Sequence, residues 1–288
     1  MVARTLNGRS LADTLLQELR AEIVNAQGAR PPGLAAVLVG EDPASRVYVR
    51  NKLKACATCG IRSFFEPLPV NASADDVLRV LQRLNEDPAV DGILLQLPLP
   101  AGIDARGMLL SLDPAKDVDG LHPTNLGKLV AEDKSGFQPC TPAGVVELLQ
   151  RYKLPIEGRR VVIVGRSSLV GKPLALLLLR RAPGGNATVT VVHTRSRDVP
   201  ARLAEAEILV AAAGSAGFVR GEWLRPGVVV IDVGIHRTPT GQLVGDVDFA
   251  SASLVASAIT PVPGGVGPMT VAMLMRNTTL AWRRNERI

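Results

Sequence analysis

Three cysteines in 288 residues are too few to staple a chain of this length with disulfides, so a reducing compartment, the cytoplasm, is expected. Aromatic residues make up only 3%, and no aromatic–basic cluster offers a platform for nucleic acid. No apolar run approaches the roughly 18 residues of a membrane helix. Charges break up the N-terminal MVARTLNGRSLADTLL before any secretory core could form. HExxH, paired Cys/His clusters and EF-hand loops are all missing, and the three histidines lie far apart, so no metal is expected.

What is present is a core-forming composition, 47% apolar and 21% charged, in a chain long enough for two domains of about 140 residues each. The net charge of +6 and pI of about 9.6 suit an anionic small molecule. They also permit nucleic-acid binding, but the basic residues are spread along the chain. The one terminal cluster, Arg283-Arg284-Asn285-Glu286-Arg287, reads as a helix end whose cations favour the dipole.

Leu11, Leu15, Leu16, Leu19 and Ile23 form a helical stripe over residues 9–26. A strand follows from Leu34 to Gly40. Asp42-Pro43 opens a helix that Gly60 closes, and Arg62 to Leu68 is a second strand. Ser73 with Asp76 resembles a capping box before a helix to about Glu86. Val90 to Leu97 is a third strand, ended by Pro98-Leu99-Pro100. This βαβαβ order predicts a parallel sheet with helices on both faces. The polar stretch from Asp113 to Pro142 reads as a linker that carries site residues. Beyond a helix from about Pro142 to Tyr152, strands are expected up to Val164, over Ala187–Val192, Ile208–Ala213 and Val228–Asp232, and a last helix after Pro268.

The organising stretch is RRVVIVGRSSLVGKPLALLLLRR, Arg159 to Arg181. A β-branched run enters Gly165, a short turn through Arg166 and Ser167 reaches Gly171, and a dense apolar helix follows. Such a turn presents backbone N–H groups and the positive end of a helix dipole to a phosphate. The turn lacks the second glycine of G-x-G-x-x-G, is one residue too long for a P-loop, and carries Pro173 where a magnesium-binding hydroxyl would stand. By spacing alone it serves equally as a plain strand-to-helix link. The next strand ends in His193-Thr194-Arg195-Ser196-Arg197, with no acid before Asp198. In dinucleotide folds that position meets the adenosine ribose, and arginine there accommodates the 2′-phosphate of NADP. Arg166, Arg195 and Arg197 could form the clamp; the alternative is a solvated basic loop.

In the first half, Tyr48 and Lys52 lie four apart on one helix face, and Gln96 sits near the end of the third strand. A lysine held away from bulk water gives up its proton more readily and can act as a general base; a tyrosine one turn away offers a flat surface. Taken singly, each also reads as ordinary surface or packing. Lys116-Asp117-Val118-Asp119-Gly120 places two carboxylates in a turn. Cys56 and Cys59 form a C-x-x-C at a helix end, where two core thiols are the simpler reading. The run Pro261 to Pro268 is a rigid, glycine-rich loop suited to packing its backbone on a ligand.

Together the motifs resemble one family. Ser45-x-x-Tyr48-Val49-x-x-Lys52, Gln96-Leu97-Pro98-Leu99-Pro100, Lys116-Asp117-Val118-Asp119-Gly120 and Pro139-Cys140-Thr141-Pro142 come in that order. Val164-Gly165-Arg166-Ser167-x-x-Val170-Gly171-x-Pro173, Asp232-Val233-Gly234-Ile235 and Pro261-Val262-Pro263-Gly264-Gly265-Val266-Gly267-Pro268-Met269-Thr270 follow. On these the chain is similar, over its whole length, to the bifunctional methylenetetrahydrofolate dehydrogenase/methenyltetrahydrofolate cyclohydrolases. The resemblance implies NADP-dependent oxidation of 5,10-methylenetetrahydrofolate and hydrolysis of the product to 10-formyltetrahydrofolate. It implies an α/β fold of two domains with a cleft between them. Residues 1–140 would form the folate-binding catalytic domain, joined by the helix of about 270–288, and 141–269 a Rossmann-like NADP-binding domain. By motif, Lys52 is the general acid/base, Gln96 tunes it, Tyr48 stacks on the folate and Asp119 binds the pterin. Pro261, Val262, Pro263, Gly264 and Gly265 line the folate side. Gly165, Arg166, Ser167, Thr194, Arg195 and Ile235 contact the dinucleotide. A homodimer paired through the nucleotide domains is implied, with neither nucleic acid nor membrane as partner. A monofunctional NAD(P)-dependent dehydrogenase is the alternative.

Overall fold

The computed structural model describes residues 3–26 and 30–288. In chain order the elements begin with β1 (Arg4–Thr5), α1 (Gly8–Asn25), β2 (Gly33–Val39), α2 (Pro43–Cys59), β3 (Arg62–Leu68), α3 (Ala74–Glu86) and β4 (Gly92–Leu95). Next come α4 (Ala105–Leu110), α5 (Pro123–Val130), α6 (Cys140–Arg151), β5 (Arg160–Val164), α7 (Gly171–Leu179), β6 (Thr188–Val192) and α8 (Val199–Ala204). The rest are β7 (Ile208–Ala211), β8 (Val229–Asp232), the short β9 (His236–Arg237) and β10 (Leu243–Val244), α9 (Phe249–Ser253), β11 (Ala258–Ile259) and α10 (Val266–Glu286). The chain divides into two compact units, one of residues 13–140 with 271–288, the other of residues 1–12 with 141–270.

The first unit holds a three-stranded parallel sheet in the order β3-β2-β4. Its centre, β2, is GLAAVLV with every residue buried, as a strand covered on both faces must be. Two helices start and stop where their local chemistry dictates. Asp42 caps α2 by accepting from the Ser45 amide at 2.7 Å, Pro43 opens its first turn, and Gly60 ends it in the left-handed region at φ 81°. Ser73 and Asp76 form a reciprocal capping box on α3, whose Val77, Leu81 and Leu84 face the core.

The second unit is a six-stranded sheet in the order β1-β11-β8-β7-β5-β6, parallel throughout. Val162, Val164, Leu209, Val230 and Ile259 form one side of its core.

Four expectations change. The first residues were expected with the folate-binding half, but Arg4 and Thr5 pair with Ala258 and Ile259, so backbone hydrogen bonding carries them onto the six-stranded sheet. The stretch 113–142, expected as a linker that carries site residues, also contains a helix, α5, capped by the His122 ring, whose Nδ1 accepts from the Thr124 amide at 3.0 Å. Histidine is not among the usual N-cap residues, which hid this helix. The third strand is shorter than Val90–Leu97, spanning Gly92–Leu95. Within it Ile93 donates to the Lys116 carbonyl at 2.7 Å, so the 116–118 segment shares that edge. Finally, α10 begins at Val266, before Pro268. The first four amides of a helix lack intrahelical partners, so a proline in the first turn forfeits no bond.

Candidate active site

In the first unit α2 carries Tyr48 and Lys52 on one face, and Gln96 follows β4 directly. Lys52 is buried, and its Nζ donates to Gln96 Oε1 at 3.0 Å. Gln96 is held in turn: its Nε2 donates to the Leu97 carbonyl at 2.7 Å and its backbone N–H to Val37 at 2.9 Å. The amide is thereby fixed with its oxygen toward the lysine. Half-buried Tyr48 has its phenol pushed up by desolvation, so it stays neutral and apolar-faced at physiological pH.

Asp119 lies in a tightly determined turn. Gly120 sits at φ 73°, and a Cβ there would come within 2.7 Å of the Gln138 carbonyl carbon and the Pro139 nitrogen. Asp117, two residues earlier, is buried and accepts from Asn125 Nδ2 and the His122 amide at 2.8 Å each and from Leu121 at 3.2 Å. Desolvation outweighs those donors and pushes its carboxyl up to about 6. Asn277 of α10 donates Nδ2 to the carbonyls of Val118 at 2.8 Å and Gln138 at 3.0 Å, clamping the turn from its other side. Cys140 donates Sγ–H to Val118 at 3.3 Å. Burial first, and then the Asp119 carboxylate, hold its thiol well above the usual range, while Lys52 acts in the opposite sense. Lys52, Gln96, Asp119 and Cys140 thus share one neighbourhood. Cys140 stood only inside a Pro-Cys-Thr-Pro motif in the sequence, and Asn277 carried no signal, because its role depends on two carbonyls over a hundred residues away.

Cys56 and Cys59 are core thiols: both are buried, and desolvation pushes each to about 12. Among the described residues no group of three or more His, Cys, Asp or Glu could hold a metal ion.

In the second unit, Gly165 stands at φ 125° and a Cβ there would lie 2.0 Å from the Ala212 carbonyl oxygen. A Cβ on Gly171 would lie 2.1 Å from the Gly165 carbonyl. Both glycines are therefore required by close backbone approach around the turn, independently of any ligand. Ser167 shapes that turn, its Oγ accepting from the Val170 amide at 3.1 Å and its carbonyl from Lys172 at 3.0 Å. Arg166 and Ser167 after β5, and Thr194, Arg195 and Arg197 after β6, are exposed at the carboxyl ends of neighbouring parallel strands, where such sheets bind ligands. Guanidinium groups beside a backbone-lined turn fit the phosphates of a dinucleotide. Ile235 follows β8 and is also exposed.

The Pro261–Gly265 loop packs its backbone as tightly. Gly264 is at φ 104° and its carbonyl accepts from the Arg9 amide at 3.0 Å; a Cβ on Gly8 would lie 1.9 Å from the Gly265 oxygen. Val262, with Ala216, Gly217, Asp232, Gly245 and Phe249, borders a cavity of about 540 Å³ in this unit.

A doubly wound sheet with an arginine-rimmed glycine turn, in one chain with a buried lysine–glutamine pair, defines an α/β nucleotide-dependent enzyme. The comparisons narrow the class. The catalytic domain of tetrahydrofolate dehydrogenase/cyclohydrolase matches residues 6–119, and its NAD(P)-binding domain matches residues 139–286. The bifunctional protein FolD of Desulfovibrio desulfuricans is 53% identical over 97% of this chain and 98% of its own. The crystal structure of bifunctional FolD from Campylobacter jejuni superimposes with a TM-score of 0.93 at 43% identity, covering 99% of this chain and 100% of that one. FolD of Trypanosoma brucei, solved with NADP cofactor and an inhibitor, gives 0.93 at 41% identity over the full length of both. The chain belongs to the tetrahydrofolate dehydrogenase/cyclohydrolase family. It is a bifunctional one-carbon enzyme that oxidises 5,10-methylenetetrahydrofolate and hydrolyses the methenyl product to 10-formyltetrahydrofolate.

Proposed function

We propose that the dehydrogenase step uses NADP and that Lys52 carries the proton transfers of the cyclohydrolase step. The observation that carries this reading is the buried Lys52–Gln96 pair, 3.0 Å from Nζ to Oε1. When bound, the nucleotide supplies a hydride acceptor; the chain's own contribution is to bind and orient. Arg166, Arg195 and Arg197 receive the 2′-phosphate and pyrophosphate, with Gly165, Ser167 and Thr194 around them. Tyr48 stacks on the folate and Asp119 hydrogen-bonds the pterin.

Loss of a hydride leaves an amidinium cation, electrophilic enough for water to add without a metal. As the water oxygen bonds to that carbon, Lys52 accepts one proton. The carbon–N5 bond then breaks with its electron pair going to N5, which takes the second proton of the water as the formyl carbonyl forms, and Lys52 releases its own proton to solvent. Gln96, fixed by its bonds to the Leu97 and Val37 carbonyls, holds Nζ in line through this cycle.

A homodimer is supported by β6, which ends the sheet with Val191 exposed and leaves an unpaired strand edge; light scattering should give twice the 30.4 kDa chain mass. No helix among the described residues is long and apolar enough to cross a membrane, and three free thiols suit the cytoplasm. The deciding experiment follows NADPH or NADH by absorbance with 5,10-methylenetetrahydrofolate, and methenyl product after acid quenching. NADP reduction with little methenyl build-up is expected. Reduction with neither nucleotide would overturn the assignment, and methenyl accumulation would remove the second activity.

A further inference from the structure

Three loops of the nucleotide unit are tied together by two buried carboxylates that the reaction does not use. Asp232 ends β8. Its Oδ1 accepts from the amides of Gly234 at 3.0 Å and Asp246 at 2.9 Å, and its Oδ2 from Val247 at 3.0 Å. Asp246 is fully buried, and its carboxylate accepts from the amides of Gly214 and Ser215, both at 3.0 Å. Five backbone donors from the loops after β7, after β8 and around residue 246 thus converge on two side chains. The fit is close: a Cβ on Gly234 would lie 2.4 Å from Asp246 Oδ1, and one on Gly245 1.9 Å from Asp232 Oδ2.

One side chain completes the knot. His236 Nε2 lies 2.6 Å from Asp246 Oδ1. A carboxylate that already takes two amide hydrogens is an acceptor, so the imidazole is the donor at Nε2. His236 immediately follows Ile235, and Gly234 before it is bonded to Asp232. Ile235 is therefore fixed from both sides while its own side chain stays exposed. The sheet order β8-β7-β5-β6 puts Arg166 and Arg195, after β5 and β6, at the adenosine side. A dinucleotide laid across the strand ends brings its other half to the loops after β7 and β8.

We propose that His236 is a positioning residue for the nicotinamide half of the cofactor. Through Asp246 it sets the β7 and β8 loops, and Ile235 with them, in the arrangement that receives the ring. This rests on the NADP reading given above. Burial, supported by the neighbouring Asp246 charge, pushes Asp232 up to about 6, so a donor beside this carboxylate pair offsets a like-charge contact that the fold would otherwise carry.

The test titrates NADP against wild-type protein, His236→Ala and His236→Gln, with thermal melting of each. Glutamine places an amide N–H close to where Nε2 sits and restores the donor without the ring. A charge-assisted hydrogen bond of this kind corresponds to about a tenfold change in Kd. His236→Ala should bind NADP about tenfold more weakly and raise KM for NADP, with KM for the folate substrate unchanged, and His236→Gln should recover most of that loss. Unchanged affinity in His236→Ala would overturn the proposal. So would equal loss in both variants accompanied by a fall in melting temperature, which marks a merely structural role. Wild-type protein that binds no NADP would instead overturn the reading beneath it.

Discussion

The two ligand-binding regions are built on opposite plans. On the side assigned to the folate, the groups proposed to react stand on or beside regular elements: Lys52 in α2, Gln96 after β4, both buried and hydrogen-bonded to each other. On the nucleotide side the groups assigned to the ligand, Arg166, Ser167, Thr194 and Arg195, are exposed and lie in loops. The order in that region lies beneath them, in Gly165, Gly171 and the Asp232–Asp246 knot. Proton transfer needs one group at one distance in a place where water competes little. Recognition of phosphate tolerates mobile side chains, because charge acts over a distance and guanidinium offers several donors.

Breaking each plan at its centre should give effects of different size. The largest is expected for Lys52→Met, which removes the proposed proton carrier but keeps an unbranched chain: hydrolysis should fall by at least about 100-fold, read as methenyl build-up after acid quenching. A hydrolysis rate within a few-fold of wild type would show that the buried pair is structural. Next comes Arg195→Ala. Losing one charged hydrogen-bonding partner for a phosphate should weaken NADP by about tenfold and leave NAD nearly unchanged, measured as the ratio of the two Kd values. Equal weakening of both would place Arg195 away from the 2′-phosphate.

A third test sharpens the comparison, because it concerns burial without direct chemistry and is read as stability, not as rate or affinity. Asp117 has its carboxyl raised to about 6 in the fold, against roughly 3.9 in an unfolded chain. Between those values the folded protein holds a proton that the unfolded chain has released. The contribution of Asp117 to stability therefore falls as pH rises from about 4 to about 6 and is flat above. Asp117→Asn abolishes this titration. Denaturant unfolding of both proteins across that window should show the difference between them shift by on the order of 2 kcal/mol against wild type as pH rises. A pH-independent difference would mean that the carboxyl is solvated.

How much of this was legible in the sequence follows from the range of the interactions. Local chemistry could be read directly: Asp42-Pro43 and Gly60 bound α2, the Ser73–Asp76 pair opens α3, and alternating strands and helices gave the parallel sheets. The ordered motifs gave Lys52, Gln96 and Asp119, and the structure brings those three together in one unit. Long-range pairings were opaque. Nothing near Arg4 announces a partner at Ala258, and nothing near Asn277 announces Val118. His122 as a cap and His236 as a donor were missed because a lone histidine carries no pattern. Gly165 and Gly171 were noticed for a ligand, yet the carbonyls they must clear are reason enough for both.

The hydrogen bonds of α10 have a consequence for how the protein is made. Residues 13–140 include Tyr48, Lys52, Gln96 and Asp119. Yet the carbonyls of Val118 and Gln138 are met by Asn277, buried Asp91 is met by Asn285, and Arg30 by Glu286. All three partners stand on α10, between residues 277 and 286. During synthesis, the groups proposed to bind folate emerge well before residues 277–286, with residues 141–270 of the nucleotide unit made in between. A chain stopped at residue 270 would contain every group assigned to catalysis while its Asp119 turn lacked one side of its clamp.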